Sequence, residues 1–126
     1  MDLACDTLGD EELKKQFAEM DLKISHNIQN IALDNGALNN ERENDKIDKK
    51  RVWWVEAESV VGFINAYQHS GEKKFLESAR SVWEYIKAEI IDKREGSDWK
   101  EIVGPWKCPY HNGRMCMEVI NRGVDF

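Results

Sequence analysis

Two short stretches of this chain crowd aromatic and titratable residues together where a helix starts. One is Pro105-Trp106-Lys107-Cys108-Pro109-Tyr110-His111-Asn112-Gly113-Arg114. The other is Arg51-Val52-Trp53-Trp54-Val55-Glu56-Ala57-Glu58. Imidazole takes or gives a proton near neutral pH, so His111 at a helix entrance is a candidate general acid or base. Taken alone, the plainer reading of His111 is a loop histidine bonded to backbone. Trp53, Trp54 and Trp106 offer flat faces of the kind on which the C–H side of a pyranose packs, while sugar hydroxyls seek Arg, Glu, Asn and His. Core packing is the competing role, and Trp83, midway along a clean apolar stripe, is assigned to it. Neighbouring helical residues point about 100° apart, so Trp53 and Trp54 cannot both face the core squarely. Glu58 lies four residues after Trp54, on the same face, and shares any cavity that Trp54 lines. Glu56 is read as a solvated complement to the helix dipole.

The remaining candidates are weaker. His26 reads as a surface residue of a helix, and His69 as a helix-end residue where a cation is merely favourable. Cys108-x-x-His111 with Cys116 has a zinc-like spacing, but a structural site needs four ligands and a second pair is missing. No metal is expected. The three cysteines, odd in number and irregularly spaced, are not a disulfide framework. They read as reduced thiols of a cytoplasmic protein.

Composition narrows the class. The chain has 126 residues, 41% hydrophobic and 33% charged, as expected of a globular domain. Its net charge is −6, with no basic block. That argues against nucleic acid, which needs clustered cations against phosphates, and against an anionic membrane surface. No apolar run approaches the ~20 residues that span a bilayer. Met1-Asp2-Leu3 begins acidic, without the basic start of a signal peptide.

The elements that must hold these residues are helices. Asp10 reads as an N-cap with Glu11 and Glu12 in the first turn. Leu13, Phe17, Met20, Ile24, Ile28 and Ile31 follow at spacings of three and four, the stripe of an amphipathic helix. Asn35-Gly36 is expected to end it, and residues 39–50 to form a solvated loop. A second helix runs from Arg51–Trp53 to Ser70-Gly71. A third carries Phe75, Leu76, Ala79, Val82, Trp83, Ile86 and Ile90, and the last spans Asn112 to about Arg122. The turn Leu8-Gly9-Asp10-Glu11-Glu12-Leu13 repeats in pattern as Ser70-Gly71-Glu72-Lys73-Lys74-Phe75. The unit is helix, tight glycine turn, helix, longer polar loop. Repeated αα-hairpins of this kind build solenoids and closed α/α toroids. Met1 to Leu8 reads as the end of a helix, and neither flank looks like a polar cap. The expectation is a piece of a longer chain.

Together, Arg51-Val-Trp-Trp-Val-Glu-Ala-Glu58, Val61-Gly-Phe-Ile-Asn-Ala-Tyr67, Trp83-Glu-Tyr-Ile-Lys87 and Gly104-Pro-Trp-Lys-Cys-Pro-Tyr-His-Asn-Gly-Arg114 resemble the C-terminal part of the N-acylglucosamine 2-epimerase family, and within it the disaccharide branch. The resemblance implies an all-α fold of αα-hairpin repeats forming the C-terminal part of an (α/α)6 barrel, with residues 1–126 belonging to that single domain. It implies epimerisation at C2 of the reducing-end sugar of β-1,4-linked disaccharides such as cellobiose and lactose, without metal or other cofactor. One histidine removes the C2 proton, an enediolate forms, and a second histidine reprotonates the other face. His111 matches the C-terminal catalytic histidine. Trp106 and one of Trp53 or Trp54 match sugar-stacking positions, and Arg51, Glu58 and Arg114 match motif positions that bind substrate. The second histidine lies in a segment upstream of the residues matching Met1. Position 56 is often Gln in the family, and the stretch from Gly96 to Val103 looks shorter.

Three other readings compete. An N-acylhexosamine is the alternative substrate within the family. A glycoside hydrolase on the same toroid needs a carboxylate pair, and Glu56 and Glu58 diverge on a helix. A non-catalytic carbohydrate-binding or interaction module needs no titrating residue.

Overall fold

The computed structural model describes residues 2–91 and 110–125. Trp106, Cys108 and the Gly96–Val103 stretch lie outside the described residues. Five α-helices are described: α1 (Asp2–Leu8), α2 (Glu11–Ile31), α3 (Trp53–Ser70), α4 (Lys73–Tyr85) and α5 (Tyr110–Asn121). α4 continues as a π-helical turn, Ile86–Ile90, before Ile91 leaves in extended conformation. Asp10 caps α2 as its type demands, its carboxylate accepting from Leu13 N–H at 2.9 Å.

α3 is the central element. It is apolar round most of its circumference, the signature of a helix covered on several sides. Ala57, Val60, Phe63, Ile64 and Ala66 are buried among Phe75, Ala79 and Val82 of α4 and Met115 of α5. Glycine turns at Gly9 and Gly71 close the hairpins α1–α2 and α3–α4. α3 and α5 run parallel. Glu58 near the start of α3 meets His111 at the start of α5, and Asn65 and Gln68 near its end meet Arg122.

The connection from α2 to α3 departs from the expected loop. α2 stops at Ile31, and Asn35-Gly36 serves a hairpin rather than the helix end. Strands β1 (Leu33–Asp34) and β2 (Ala37–Leu38) pair antiparallel, Leu33 opposite Leu38. Asn35 and Gly36 have φ of 51° and 82°, the two positive values that a two-residue type I′ turn requires and that Asn-Gly supplies. Strands β3 (Glu41–Glu43) and β4 (Lys46–Asp48) form a second small hairpin, within the stretch expected to be loop. Five of its six residues are exposed, so hydrophobic patterning carried no trace of it.

The α2 stripe is also redirected. Leu13, Phe17, Met20, Ile24 and Ile31 fall within about 60° of one another at ~100° per residue. Yet Met20, Ile24 and Ile31 are 44%, 48% and 40% exposed. Ile28 of the expected stripe does pack against the core, together with Leu22 and, just past the helix end, Ala32, and Ser25 is buried. Trp83, assigned to the core, is half-buried and packs against its edge, with Lys87 Nζ 5.8 Å above its ring.

Candidate functional site

The parallel pairing of α3 and α5 brings the two chemistry-bearing stretches together. Glu58, in the second turn of α3, points at the first turns of α5. Its Oε1 lies 2.8 Å from His111 Nδ1, and its Oε2 accepts from Arg114 Nη1. All three side chains are about one-third exposed. Burial alone raises the Glu58 carboxyl. The hydrogen bonds and charges of His111 and Arg114 outweigh it and hold the group below its ordinary value. The same bond raises Arg114, which stays charged.

An ionised carboxylate only accepts. Nδ1 of His111 therefore carries the proton toward Glu58, and the lone pair of a neutral ring is left on Nε2. A carboxylate on one ring nitrogen fixes tautomer and orientation and leaves the other nitrogen to exchange protons. His111 is thus bonded to a side chain from within a helix, and is not the loop histidine bonded to backbone of the plainer reading. It sits inside the first turn of α5, bonded across to α3.

Aromatic rings surround it. The centroids of Trp53, Trp54 and Tyr110 lie 5.7, 5.8 and 5.1 Å from that of His111. Trp53 is half-buried, whereas Trp54 is 45% exposed, the division that adjacent helical positions impose. Trp54, Glu58 and Arg114 line one cavity of about 700 Å³ between α2, α3 and α5.

Arg51 is directed elsewhere. Its guanidinium donates to Asn39 Oδ1 at 2.8 Å and to the Asp34 carbonyl at 2.9 Å, tying the β1–β2 turn to the start of α3. His26 lies between α2 and α4, its ring 4.8 Å from Phe75 and 3.4 Å from the Glu72 carboxylate.

The reading of Glu56 as solvated is corrected. Its side chain is fully buried, and both carboxylate oxygens accept from Leu38 N–H, at 3.0 and 3.2 Å. Burial raises its pKa, partly offset by the Leu38 bond and the Arg51 charge. The position after Val55 on α3 faces the β1–β2 hairpin rather than solvent. A helix-dipole argument treats only the helix itself and cannot see that neighbour.

A sequence profile described as N-acylglucosamine 2-epimerase (GlcNAc 2-epimerase) matches residues 16–107. The cellobiose 2-epimerase of Ruminococcus albus is 74% identical over 138 aligned residues, covering 99% of this chain and 36% of that protein. The cellobiose 2-epimerase of Dictyoglomus turgidum is 43% identical over 97% of this chain and 34% of its own length. The structure superposes on a sugar epimerase from a ruminal bacterium with a TM-score of 0.92 at 73% identity, covering 100% of this chain and 36% of that one. For the cellobiose 2-epimerase of Bacillus thermoamylovorans the TM-score is 0.83 at 42% identity, over 94% and 34%. The chain thus spans about a third of the length of these relatives. With a family profile matching most of its residues and a helical arrangement shared with solved epimerases, the chain belongs to the N-acylglucosamine 2-epimerase family.

Proposed function

We propose that this chain carries one half of the acid–base machinery of a disaccharide 2-epimerase, within a single (α/α)6-barrel domain. The observation that carries the reading is the Glu58 carboxylate on His111 Nδ1. It leaves Nε2 of His111 free to exchange a proton at C2 of a ring-opened reducing-end sugar. Removal of that proton beside the aldehyde gives an enediolate, and return of a proton to the opposite face inverts the centre. Two groups on opposite faces are required, because a single base tends to restore the original configuration. His111 is one. The family resemblance puts the other in the segment upstream of the residues matching Met1, so the chain alone is inactive.

Trp54, with Trp53 beside it, stacks the sugar, and Trp106 adds a further platform. Arg114 and Glu58 bind and orient, and Arg51 acts through the turn it holds. No metal or other cofactor takes part. Cellobiose, giving 4-O-glucosyl-mannose, and lactose, giving epilactose, are the substrates this reading favours, since the relatives described above are cellobiose 2-epimerases. No described helix is long and apolar enough to cross a membrane. The odd number and irregular spacing of the chain's three cysteines favour a cytoplasmic setting.

The test uses a fusion in which this chain follows the segment that precedes the matching part of the Ruminococcus albus enzyme. Exchange at C2 of cellobiose in deuterated water is expected for the fusion and is lost in His111→Ala. Near-normal exchange by that variant removes His111 from the mechanism. Binding of cellobiose without exchange in the parent fusion returns the reading to a non-catalytic module.

A further inference from the structure

The start of α3 carries both tryptophans of the site, yet no side chain caps it. Its N-cap residue is Val52, which makes no side-chain hydrogen bond to the first turn. Asp10 supplies that bond for α2, and an oxygen-bearing side chain is the usual means of holding a helix start. Contacts from another element take its place in α3. Arg51 donates to Asn39 Oδ1 and to the Asp34 carbonyl at 2.8 and 2.9 Å. Glu56 accepts from Leu38 N–H through both carboxylate oxygens. These partners lie in the β1–β2 hairpin or directly after it. Positions 51 and 56 bracket Trp53 and Trp54, so the hairpin is fastened to α3 on either side of the pair.

The fastening is buried, since Glu56, Leu38 and Asn39 are all shielded from solvent. No water can replace a hydrogen bond lost in such a place. A carboxylate there is costly, and the acid–base steps proposed above make no use of it. Leu38, which Glu56 holds by its N–H, lines the same cavity as Trp54 and Glu58. Trp53 and Glu56 are three residues apart, neighbours on one helix face. The hairpin is therefore a wall of the site as well as the support of its first turn.

We infer that Arg51, Asn39 and Glu56 are positioning residues for the sugar: they clasp the β1–β2 hairpin to α3, and the clasp sets where Trp53 and Trp54 present their rings, while none of the three touches the sugar. The inference rests on the stacking role proposed for those rings.

The test uses the fusion described above, labelled with 5-fluorotryptophan, the signals of Trp53 and Trp54 being assigned through Trp53→Phe and Trp54→Phe. In the sugar-free protein, Glu56→Ala and Arg51→Ala are expected to shift or broaden both signals. Glu56→Gln restores them, because its amide oxygen still accepts from Leu38 N–H. Cellobiose is then titrated in the His111→Ala background, where turnover does not intervene. Both alanine variants bind about fivefold or more weakly, and Glu56→Gln binds within about twofold of its parent. Asn39→Ala removes a single acceptor and carries the same test should Glu56→Ala fail to fold. Unmoved fluorine signals in folded variants overturn the proposal, and weaker binding by Arg51→Ala with unmoved signals puts the guanidinium on the sugar itself. Moved signals with unchanged cellobiose affinity overturn it as well. A parent fusion that binds no cellobiose removes the stacking role and this inference with it. A parent that binds cellobiose but does not exchange its C2 proton counts against the proposed activity alone.

Discussion

Glu56 and Glu58 are two residues apart and do opposite things, because positions two apart on α3 point about 200° apart and meet different neighbours. Glu58 accepts from His111 and Arg114 and is held ionised. Its depressed pKa means that the contact to His111 and Arg114 is fully present above the ordinary carboxylate range and is lost only as pH falls through the lowered value. In the fusion, Glu58→Gln keeps the shape but removes the charge that orients His111. A fall in kcat of about 10²-fold is expected, within the usual span of general acid–base effects, with a smaller change in KM. Initial rates against pH check it, since the variant also loses the acidic limb assigned to Glu58. Glu56 is the reverse case. Its raised pKa means that its contribution is fully present below the ordinary value and is lost as pH rises through the raised one. Glu56→Gln still accepts from Leu38 N–H and carries no charge. It is expected to leave stability at neutral pH within about 1 kcal/mol of the parent or above it, whereas Glu56→Ala strands a buried N–H and costs about 1–3 kcal/mol. Urea unfolding of the fusion at mildly acid and mildly alkaline pH separates the two, the Gln variant showing the flatter profile.

The β1–β2 hairpin is what makes Glu56 a core residue, and its turn is tightly specified. Gly36 has φ 82°, and a Cβ there falls 2.8 Å from Ser81 Oγ of α4. Gly36→Ala is expected to cost about 1–2 kcal/mol from the left-handed backbone alone, and more from the contact. Adding Ser81→Ala relieves the second part and not the first. Unfolding midpoints of the two single variants and the double variant test that division, and full recovery in the double variant rules out the backbone term. The pairing of α3 with α5 is fixed at both ends, by Glu58 with His111 and Arg114 above and by Asn65 and Gln68 with Arg122 below. Arg122 donates at 2.9 Å to Asn65 and 2.7 Å to Gln68. Arg122→Ala is expected to loosen α5 first at its C-terminal end, read as faster amide exchange there than at Met115.

At the scale of the molecule, apolar surface is left open on two flanks. Met20, Ile24 and Ile31 form one stripe on α2, while Met117 and Ile120, 61% and 76% exposed, sit on α5 away from α3. Buried apolar area stabilises by about 25 cal/mol per Å², and net stability is marginal, so open faces weigh heavily. The isolated chain is expected to produce no 4-O-glucosyl-mannose from cellobiose, where the fusion does. Turnover comparable to the fusion would mean that a second proton-transfer group lies within these residues. His26 is poorly placed for that, being packed between α2 and α4 against Phe75. His69 near the end of α3 is the first variant to make in that event.

Local rules decided much of this molecule from sequence. Asp10 with its two following acids, the 3.6-residue stripes and the glycine turns fixed the helices and their hairpin repeat, because each depends on residues within one or two turns. Crowding of His111, Arg114, Trp53, Trp54 and Glu58 marked two stretches as chemical for the same reason. Tertiary structure decided what those residues touch. The contact of Glu58 with His111 spans 53 positions and exists only because α3 and α5 run parallel. Burial of Glu56 depends on a hairpin brought back over α3, and the direction of the α2 stripe on which neighbours are present. Periodicity reports that a face is apolar. It is packing between elements distant in the chain that determines which surface covers that face, and which carboxylate meets the histidine.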